Sequence, residues 1–591
     1  MISGKRDTSC TLTLRRGEKS MKEKIEKKME EVAKFILNAE KKQFDLAAVK
    51  PVCEVGKSWS VMLPMSDGVR LETKIWLPDQ EQKDYPVILK RNCYSMKIPS
   101  LEQQAKEYAR RGFGFVVQSC RGTMKSEGVW EPNVNERQDG LDTLEWLSKQ
   151  TFVRNIGYWG DSYLALTGWC MLDAVPEKVK TMFLGVYGID RHTSAYQDGM
   201  FRHDVLTSWA KENAGKPIDA DTMESYRFRP QMEVDEKLWG VRLDWYRDWI
   251  SNPDRESDYW NTGFWGMLKE IPGKTKIPIF VKEGWHDHHL GSALVSYDRL
   301  PENIKKKSVL EIGPWNHYYL NVVTHGKCEY ALKNEMEEPL LWFEKILKKE
   351  EMPIGRIEEY VIGADTWIEK EIRIESEEIC SYYLDAEHQN PEKGMLKKAA
   401  PCAEKAVSYE YDPDNPLPSH GTESMLNHIQ ENGSLEQPAL GWRTDVVSFQ
   451  SEPLEQDLAI DGAVKVRLYV SSDAEDTAFT AKIMEVFEDG TAVNVRGSIT
   501  TLAYRGHSGT RLEYQPGEIV EAEIDMWDIA WEFQKGSRIR LDISSSDFPQ
   551  YSIHTNYAGV WSEQCKTKTA RQTVYTGEEY PSRVELPMMK K

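Results

Sequence analysis

Residues 157–169 read Gly157-Tyr-Trp-Gly-Asp-Ser-Tyr-Leu-Ala-Leu-Thr-Gly-Trp169, and this stretch decides the fold. Asn155 to Trp159 is a short strand-like run, and Tyr163 to Leu172 is mostly apolar and helix-compatible. Between them Gly160 stands two residues before Ser162, where a tight turn leaves little room for a side chain. A serine on such a strand–turn–helix bend has its hydroxyl pushed out of the sheet. The next backbone N–H is aimed at the same point. Small-x-Ser also occurs in ordinary loops, so the flanking sequence must supply the rest.

Working outward, short apolar runs alternate with helical ones. Val61 to Leu77 holds two strand-like runs around the turn signal Ser66-Asp67-Gly68. Pro86 to Leu89 is a short strand, Leu101 to Arg111 a helix, Gly112 to Gln118 a buried strand and Asp139 to Lys149 an amphipathic helix. Lys180 to Val186, Ile277 to Glu283 and Val309 to Ile312 are further strands. The alternation predicts a mostly parallel sheet covered on both faces. From residue 188 to 270 tryptophans crowd in among helical spacings, predicting a helical insertion. Its aromatic residues can wall an active site, form a core of their own, or do both. After residue 365 alternating runs such as Val464 to Val470 and Arg538 to Ile543 predict an antiparallel sandwich. Ala386 to Lys405 reads as a surface connection.

The boundaries expected are a helical extension over 1–50, an α/β domain over 51–187 and 271–364, a helical cap over 188–270 and a β-sandwich over 365–591. In the extension, Ile25, Met29, Val32 and Ile36 recur at helical steps within Met21 to Leu37, and Met21 is an alternative start to Met1. The Lys22 to Glu31 charges read as a solvated face.

Composition excludes several classes. The net charge of −19 argues against a nucleic-acid surface. No apolar run reaches the roughly 18 residues that span a bilayer. The first 30 residues lack an apolar signal region. Nine scattered cysteines with no Cys-x-x-Cys pair fit reduced thiols in a cytoplasm.

A serine nucleophile needs a base, and the base needs an orienting carboxylate. On an open α/β sheet these follow the serine in the order Asp, His on loops after strands. Two segments suit: Ile277-Pro-Ile-Phe-Val-Lys-Glu-Gly-Trp-His-Asp287 and Val309-Leu-Glu-Ile-Gly-Pro-Trp-Asn-His317. His286, His288 and His289 bracket Asp287, but neighbours on one loop seldom converge on one ion, so no metal is expected. His203 reads as a cap-surface residue, and Asp139, Asp142 and Glu145 as a solvated helix face.

From about Ser58 onward the chain resembles the α/β-hydrolases that include bacterial cocaine esterase, α-amino-acid ester hydrolases, glutaryl cephalosporin acylases and X-prolyl dipeptidyl peptidases. The resemblance rests on Met65-Ser-Asp-Gly-Val-Arg-Leu71, Arg91-Asn-Cys-Tyr94, Gln118-Ser-Cys-Arg-Gly122, Ser126-Glu-Gly128 and Asp139-Gly-Leu-Asp-Thr-Leu-Glu-Trp-Leu147. It continues through the Ser162 segment, Gly284-Trp-His-Asp287, Gly313-Pro-Trp-Asn-His317, Ser471-Ser-Asp-Ala-Glu-Asp-Thr477 and Ser544-Ser-Ser-Asp-Phe-Pro549. It implies an α/β-hydrolase domain with an inserted helical cap, followed by a C-terminal jelly-roll sandwich.

The resemblance makes Ser162 the nucleophile, His317 the base and Asp287 the orienting carboxylate. It builds the oxyanion hole from the Tyr94 hydroxyl and the Tyr163 backbone N–H, and it puts His289 near the acyl pocket. Three positions depart from the family pattern: Ala165 where glycine is usual, Ser119 where aspartate is usual and Cys93 where proline is common. The activity implied is cleavage of a small ester or amide through an acyl-enzyme, with no cofactor. An X-prolyl dipeptidyl peptidase is the alternative; it would carry a larger N-terminal domain and an anchor for a free amine, for which Asp204 and Glu283 are candidates. A non-catalytic binding protein on the same scaffold is the alternative from another class. No nucleic-acid or membrane partner is expected, and the choice between monomer and homo-oligomer stays open.

Overall fold

The computed structural model describes residues 34–590 apart from 326–327, 329–332, 374–375, 387–392, 422 and 424–431. Both candidate starts, the Lys22 to Glu31 run and the first turns of the expected N-terminal helix lie outside these residues. Residues 34–46 are helical (α1). Ile36, expected on the apolar stripe, is 47% exposed, while Phe44 is buried against Tyr108.

The central sheet opens with a hairpin of β1 (Val55–Pro64) and β2 (Arg70–Pro78), turned at Gly68 with φ 87°. Then come β3 (Tyr85–Asn92), α2 (Ile98–Arg110), β4 (Gly114–Ser119), α3 (Glu136–Ser148), β5 (Val153–Asp161), α4 (Tyr163–Trp169) and β6 (Val179–Gly185). The chain next makes the helical excursion. It runs through α5 (Arg191–Ala195), the short hairpin β7 (Tyr196–Gln197) and β8 (Met200–Phe201), α6 (His203–Glu212), α7 (Thr222–Arg227), α8 (Val234–Lys237), α9 (Asp244–Ser251), α10 (Asp258–Asn261) and α11 (Gly263–Glu270). It returns to the sheet as β9 (Ile279–His286), followed by α12 (Leu290–Asp298), β10 (Val309–Asn316), β11 (Arg356–Val361) and β12 (Thr366–Lys370).

The strand order is β1-β2-β4-β3-β5-β6-β9-β10-β11-β12. From β4 to β11 every neighbour pairs parallel, and the pairs at both edges are antiparallel. Every residue of β3, β4, β9 and β10 is buried, polar ones such as Arg91, Lys282 and Glu311 included, and the apolar start of each strand is what reads as a run in the sequence. β12 lies beyond residue 364, the expected end of this layer, yet it still pairs with β11 along Ile357 to Val361.

Eleven strands, β13 (Ile379–Asp385) through β23 (Arg583–Pro587), form the C-terminal β-rich unit. In the longest pairing, Leu458–Ser472 against Val520–Phe533, Val464, Val466, Leu468 and Val470 are all fully buried, as alternation requires. The expected connection between 386 and 405 is partly a strand: Gly394–Lys397 pairs with β13 and with Val447–Ser451. Glycine is needed there, since a Cβ on Gly394 would lie 2.4 Å from the Phe449 ring. The unit braces the central sheet through Arg496, whose guanidinium donates to the carbonyls of Trp285 and Asp528 at 2.6 Å each.

Two sets of isolated polar residues lie deeper than their sequence suggests. His203 is 1% exposed, not on the surface; its ring bonds the Tyr226 carbonyl at 2.9 Å and the Thr207 hydroxyl at 2.8 Å. Asp139 is fully buried and takes two bonds from Arg121, and Asp142 accepts from the Ser66 N–H at 2.7 Å. Of that group Glu145 is exposed and Asp142 is half-buried.

Candidate active site

β5 ends at Asp161 and α4 begins at Tyr163, which leaves Ser162 alone on the bend with φ 61° and ψ −130°. An L-residue is strained there by about 1–3 kcal/mol, so its surroundings must hold it. The Ser162 N–H donates to the Gly185 carbonyl at 2.9 Å, and the Ser162 carbonyl accepts from the Ala165 N–H at 2.8 Å. Gly160 allows the bend to close, because a Cβ there would sit 2.1 Å from the Leu164 carbonyl oxygen. The N–H groups that open a helix have no partner within it. The Tyr163 N–H is the first of these in α4.

The loops after β9 and β10 bring Asp287 and His317 to this point. His317 Nε2 lies 2.8 Å from Ser162 Oγ, and His317 Nδ1 lies 2.5 Å from Asp287 Oδ2. Asp287 is fully buried, and its other oxygen accepts from the His289 N–H at 2.6 Å. Its carboxylate is therefore fixed from both sides before it meets the imidazole.

A cleft of about 420 Å³ opens above Ser162, lined in part by Tyr94, Tyr163, Trp209, His289 and His317. Tyr94 follows β3, and its main chain is pinned by Asn92, whose side chain accepts from the Tyr94 N–H and donates to the Tyr94 carbonyl. Burial holds the Tyr94 phenol well above its ordinary range, so it keeps its proton. The indole N–H of Trp209 donates to the Tyr94 hydroxyl at 3.0 Å, which leaves the phenol proton free to point elsewhere. The Tyr163 ring is turned away from the serine; its hydroxyl donates to Glu136 at 2.9 Å.

His289 is buried, accepts or donates at the Ser194 hydroxyl at 2.9 Å, and packs on the Tyr187 ring with centroids 4.2 Å apart. Burial pushes both His288 and His289 well below the usual imidazole range, and the nearby His317 and Arg191 push the same way. The cap's tryptophans do both things left open above. Trp209 and Trp249 line the cleft, whereas Trp260 is fully buried inside the cap.

Atoms of Asp287, His288 and His317 lie within 4.8 Å of one another, near enough to share an ion. Asp287 Oδ2 and His317 Nδ1 are already bonded to each other, so a metal would have to break that bond to enter. Neither Asp204 nor Glu283 lines the cleft. Glu283 is fully buried, and burial and the charge on Asp287 hold its carboxyl well above the usual range. Trp209 and Arg191, which do line the cleft, went unmarked as site residues in the sequence. Trp209 belonged to a visible tryptophan cluster; nothing in the sequence set Arg191 apart.

Residues 67–319 match the family model of the X-Pro dipeptidyl-peptidase (S15 family), and residues 374–585 match that of the X-Pro dipeptidyl-peptidase C-terminal non-catalytic domain. Cocaine esterase of Rhodococcus sp. (strain MB1 Bresler) is 28% identical over 577 residues, spanning 90% of this chain and 98% of that protein. Among solved structures, an aminopeptidase from the marine sediment archaeon Thaumarchaeota archaeon aligns with a TM-score of 0.77 at 20% identity, covering 91% of this chain and 97% of that one. An α-amino acid ester hydrolase aligns with a TM-score of 0.75 at 21% identity, covering 92% and 99%. Fold and matches together define a class: a serine-dependent hydrolase on an α/β-hydrolase sheet with a C-terminal β-rich unit. Within that class the matches are to the two domains of the X-Pro dipeptidyl-peptidase family and, over 90% of the chain, to cocaine esterase.

Proposed function

We propose that this chain hydrolyses a small ester, or an activated amide, through an acyl-enzyme on Ser162. The observation that carries the proposal is the unbroken chain of hydrogen bonds from Ser162 through His317 to Asp287, opening on a cleft with a protonated phenol. His317 Nε2 takes the Ser162 proton as Oγ attacks the carbonyl carbon. The oxygen that gains the charge is held by the Tyr94 hydroxyl and the Tyr163 N–H. His317 then gives the proton to the leaving alcohol or amine, the carbonyl re-forms, and the acyl group stays on Oγ. A water deprotonated by His317 repeats the sequence and frees the acid. Asp287 keeps the ring oriented and stabilises its charged form.

Esterase or acylase is favoured over X-prolyl dipeptidyl peptidase because the described cleft offers no carboxylate to a substrate's free amine. A binding protein without chemistry would have no physical need of the full Ser–His–Asp chain. The proposal also divides the chain into the extension, hydrolase, cap and sandwich given above, with the last boundary moved past β12 to the 371–378 stretch. A cytoplasmic setting is supported by the eight described cysteines, all of them unpaired. The test is hydrolysis of a panel of para-nitrophenyl esters and anilides, alongside X-Pro anilides. Ester turnover that disappears in Ser162→Ala supports the proposal; turnover of the X-Pro anilides alone would replace it with the peptidase.

A further inference from the structure

Arg191 is the one permanently charged side chain lining the cleft, and no aspartate or glutamate lines it among the described residues. Arg191 is only 7% exposed. Its guanidinium carbon lies 4.1 Å over the Trp249 ring, and it faces the Tyr187 hydroxyl. Among the described residues no carboxylate oxygen lies within 4 Å of it, and its Nε is buried without a hydrogen-bond partner. The adjacent acid, Asp190, is committed elsewhere: it caps α5 through the Thr193 N–H at 3.2 Å and sits 3.7 Å from Arg299.

Taking a guanidinium out of water without a counter-charge is unfavourable, and an aromatic face offsets only part of that cost. A second buried cation, Arg202, has the same character: its guanidinium lies 3.9 Å over Trp527, its Nε lacks a partner, and its charge bears on His288 and His289 together with that of Arg191. His288 also presents a buried Nδ1 with no partner. Arg202 does not itself line the cleft, but its charge adds to that of the lining Arg191, so this side of the site is positive and under-bonded, the inverse of what an ammonium group requires.

We propose that Arg191 sets specificity by pairing with a carboxylate, so that the substrate is an ester or amide carrying a second, ionised acid. The proposal rests on the hydrolase reading of Ser162. A guanidinium can donate two parallel bonds to a carboxylate, and burial beside Trp249 keeps water from competing.

Three matched para-nitrophenyl esters test it: the adipate half-ester, the hexanoate and the ε-aminohexanoate. The enzyme should prefer the anionic ester to the neutral one by about 10- to 100-fold in kcat/KM, with the cationic ester poorest. Arg191→Met should lower the anionic-to-neutral ratio by the same factor, mainly through KM, while Arg191→Lys keeps part of it. A second pair, para-acetoxybenzoate against phenyl acetate, places the carboxylate on the leaving group. A preference in either pair that Arg191→Met removes supports the proposal. Equal or better use of the uncharged ester in both pairs, or a ratio that Arg191→Met leaves unmoved, overturns it. Calorimetric binding of monomethyl adipate and methyl hexanoate to Ser162→Ala, with and without Arg191→Met, reads Arg191 without any turnover. Loss of all ester hydrolysis would therefore count against the hydrolase reading, while binding still decides the role of Arg191.

Discussion

The two sides of one cleft are built on opposite principles. Around Ser162, His317 and Asp287 the donors and acceptors are matched, from the two amides that clamp the bend to the His289 N–H on the far carboxylate oxygen. Beside them Arg191 and His288 bury polar atoms with no partner. The difference separates what is needed before substrate arrives from what substrate itself must complete. A base must be oriented in the resting protein, whereas a recognition group left open gains its partner only on binding.

The largest effect should come from the matched side. Ser162→Ala is expected to lower kcat by about 10⁴–10⁶ with an unchanged melting temperature, because the triad acts as a unit; activity above a tenth of wild type would mean another nucleophile. Tyr94→Phe removes one proposed oxyanion donor and should cost about 10² to 10³ in kcat, with KM moving only a few-fold. Steady-state kinetics on one neutral ester reads both.

Stability should follow pH through the cap. Burial lowers the pKa of His203 to about 4, against the pull of its bond to the Tyr226 carbonyl. Its folded value lies below the unfolded one near 6.5, so the unfolded chain takes up the proton first. The stabilisation is therefore complete above pH 6.5 and lost between 6.5 and 4, on the order of 3 kcal/mol from this group. Melting midpoints from pH 8 to 4 should fall through that window, and His203→Gln should flatten the slope. A slope unchanged in that variant would place the acid sensitivity elsewhere.

Smaller still, Trp209→Phe keeps the aromatic wall but removes the N–H that holds the Tyr94 hydroxyl. A loss of about 3- to 10-fold in kcat is expected for one hydrogen bond. It should nearly vanish when Tyr94 is already Phe, which a double-mutant cycle measures. A chelator should leave activity unchanged; inhibition by EDTA that zinc reverses would assign a metal to Asp287, His288 and His317.

What the sequence revealed follows the same division. Strands buried on both faces are mostly apolar, so the stretches at Pro86–Leu89, 114–117, 279–281 and 309–310 stood out as runs, although β3, β9 and β10 each go on to bury charged residues. Gly160 marked the bend because nothing larger fits beneath the Leu164 carbonyl. Ser162, Asp287 and His317 could be proposed because each ends a strand on the same side of the sheet. Burial of isolated polar residues was not legible. Asp139 looks solvated until Arg121 arrives from another loop, and His203 until Tyr226 and Thr207 surround it. The Gly394–Lys397 strand was hidden because it is short and depends on partners outside its own stretch. Arg191 was least visible of all, since its character is the absence of a nearby acid, which only three-dimensional neighbours define.

Activation of Ser162 by His317 and Asp287 is best tested by labelling the intact protein with a fluorophosphonate and locating the adduct by peptide mass spectrometry. One adduct per chain is expected, on Ser162, formed far more slowly in His317→Ala although that variant stays folded. An adduct on another serine, or equal labelling rates with and without His317, would contradict it.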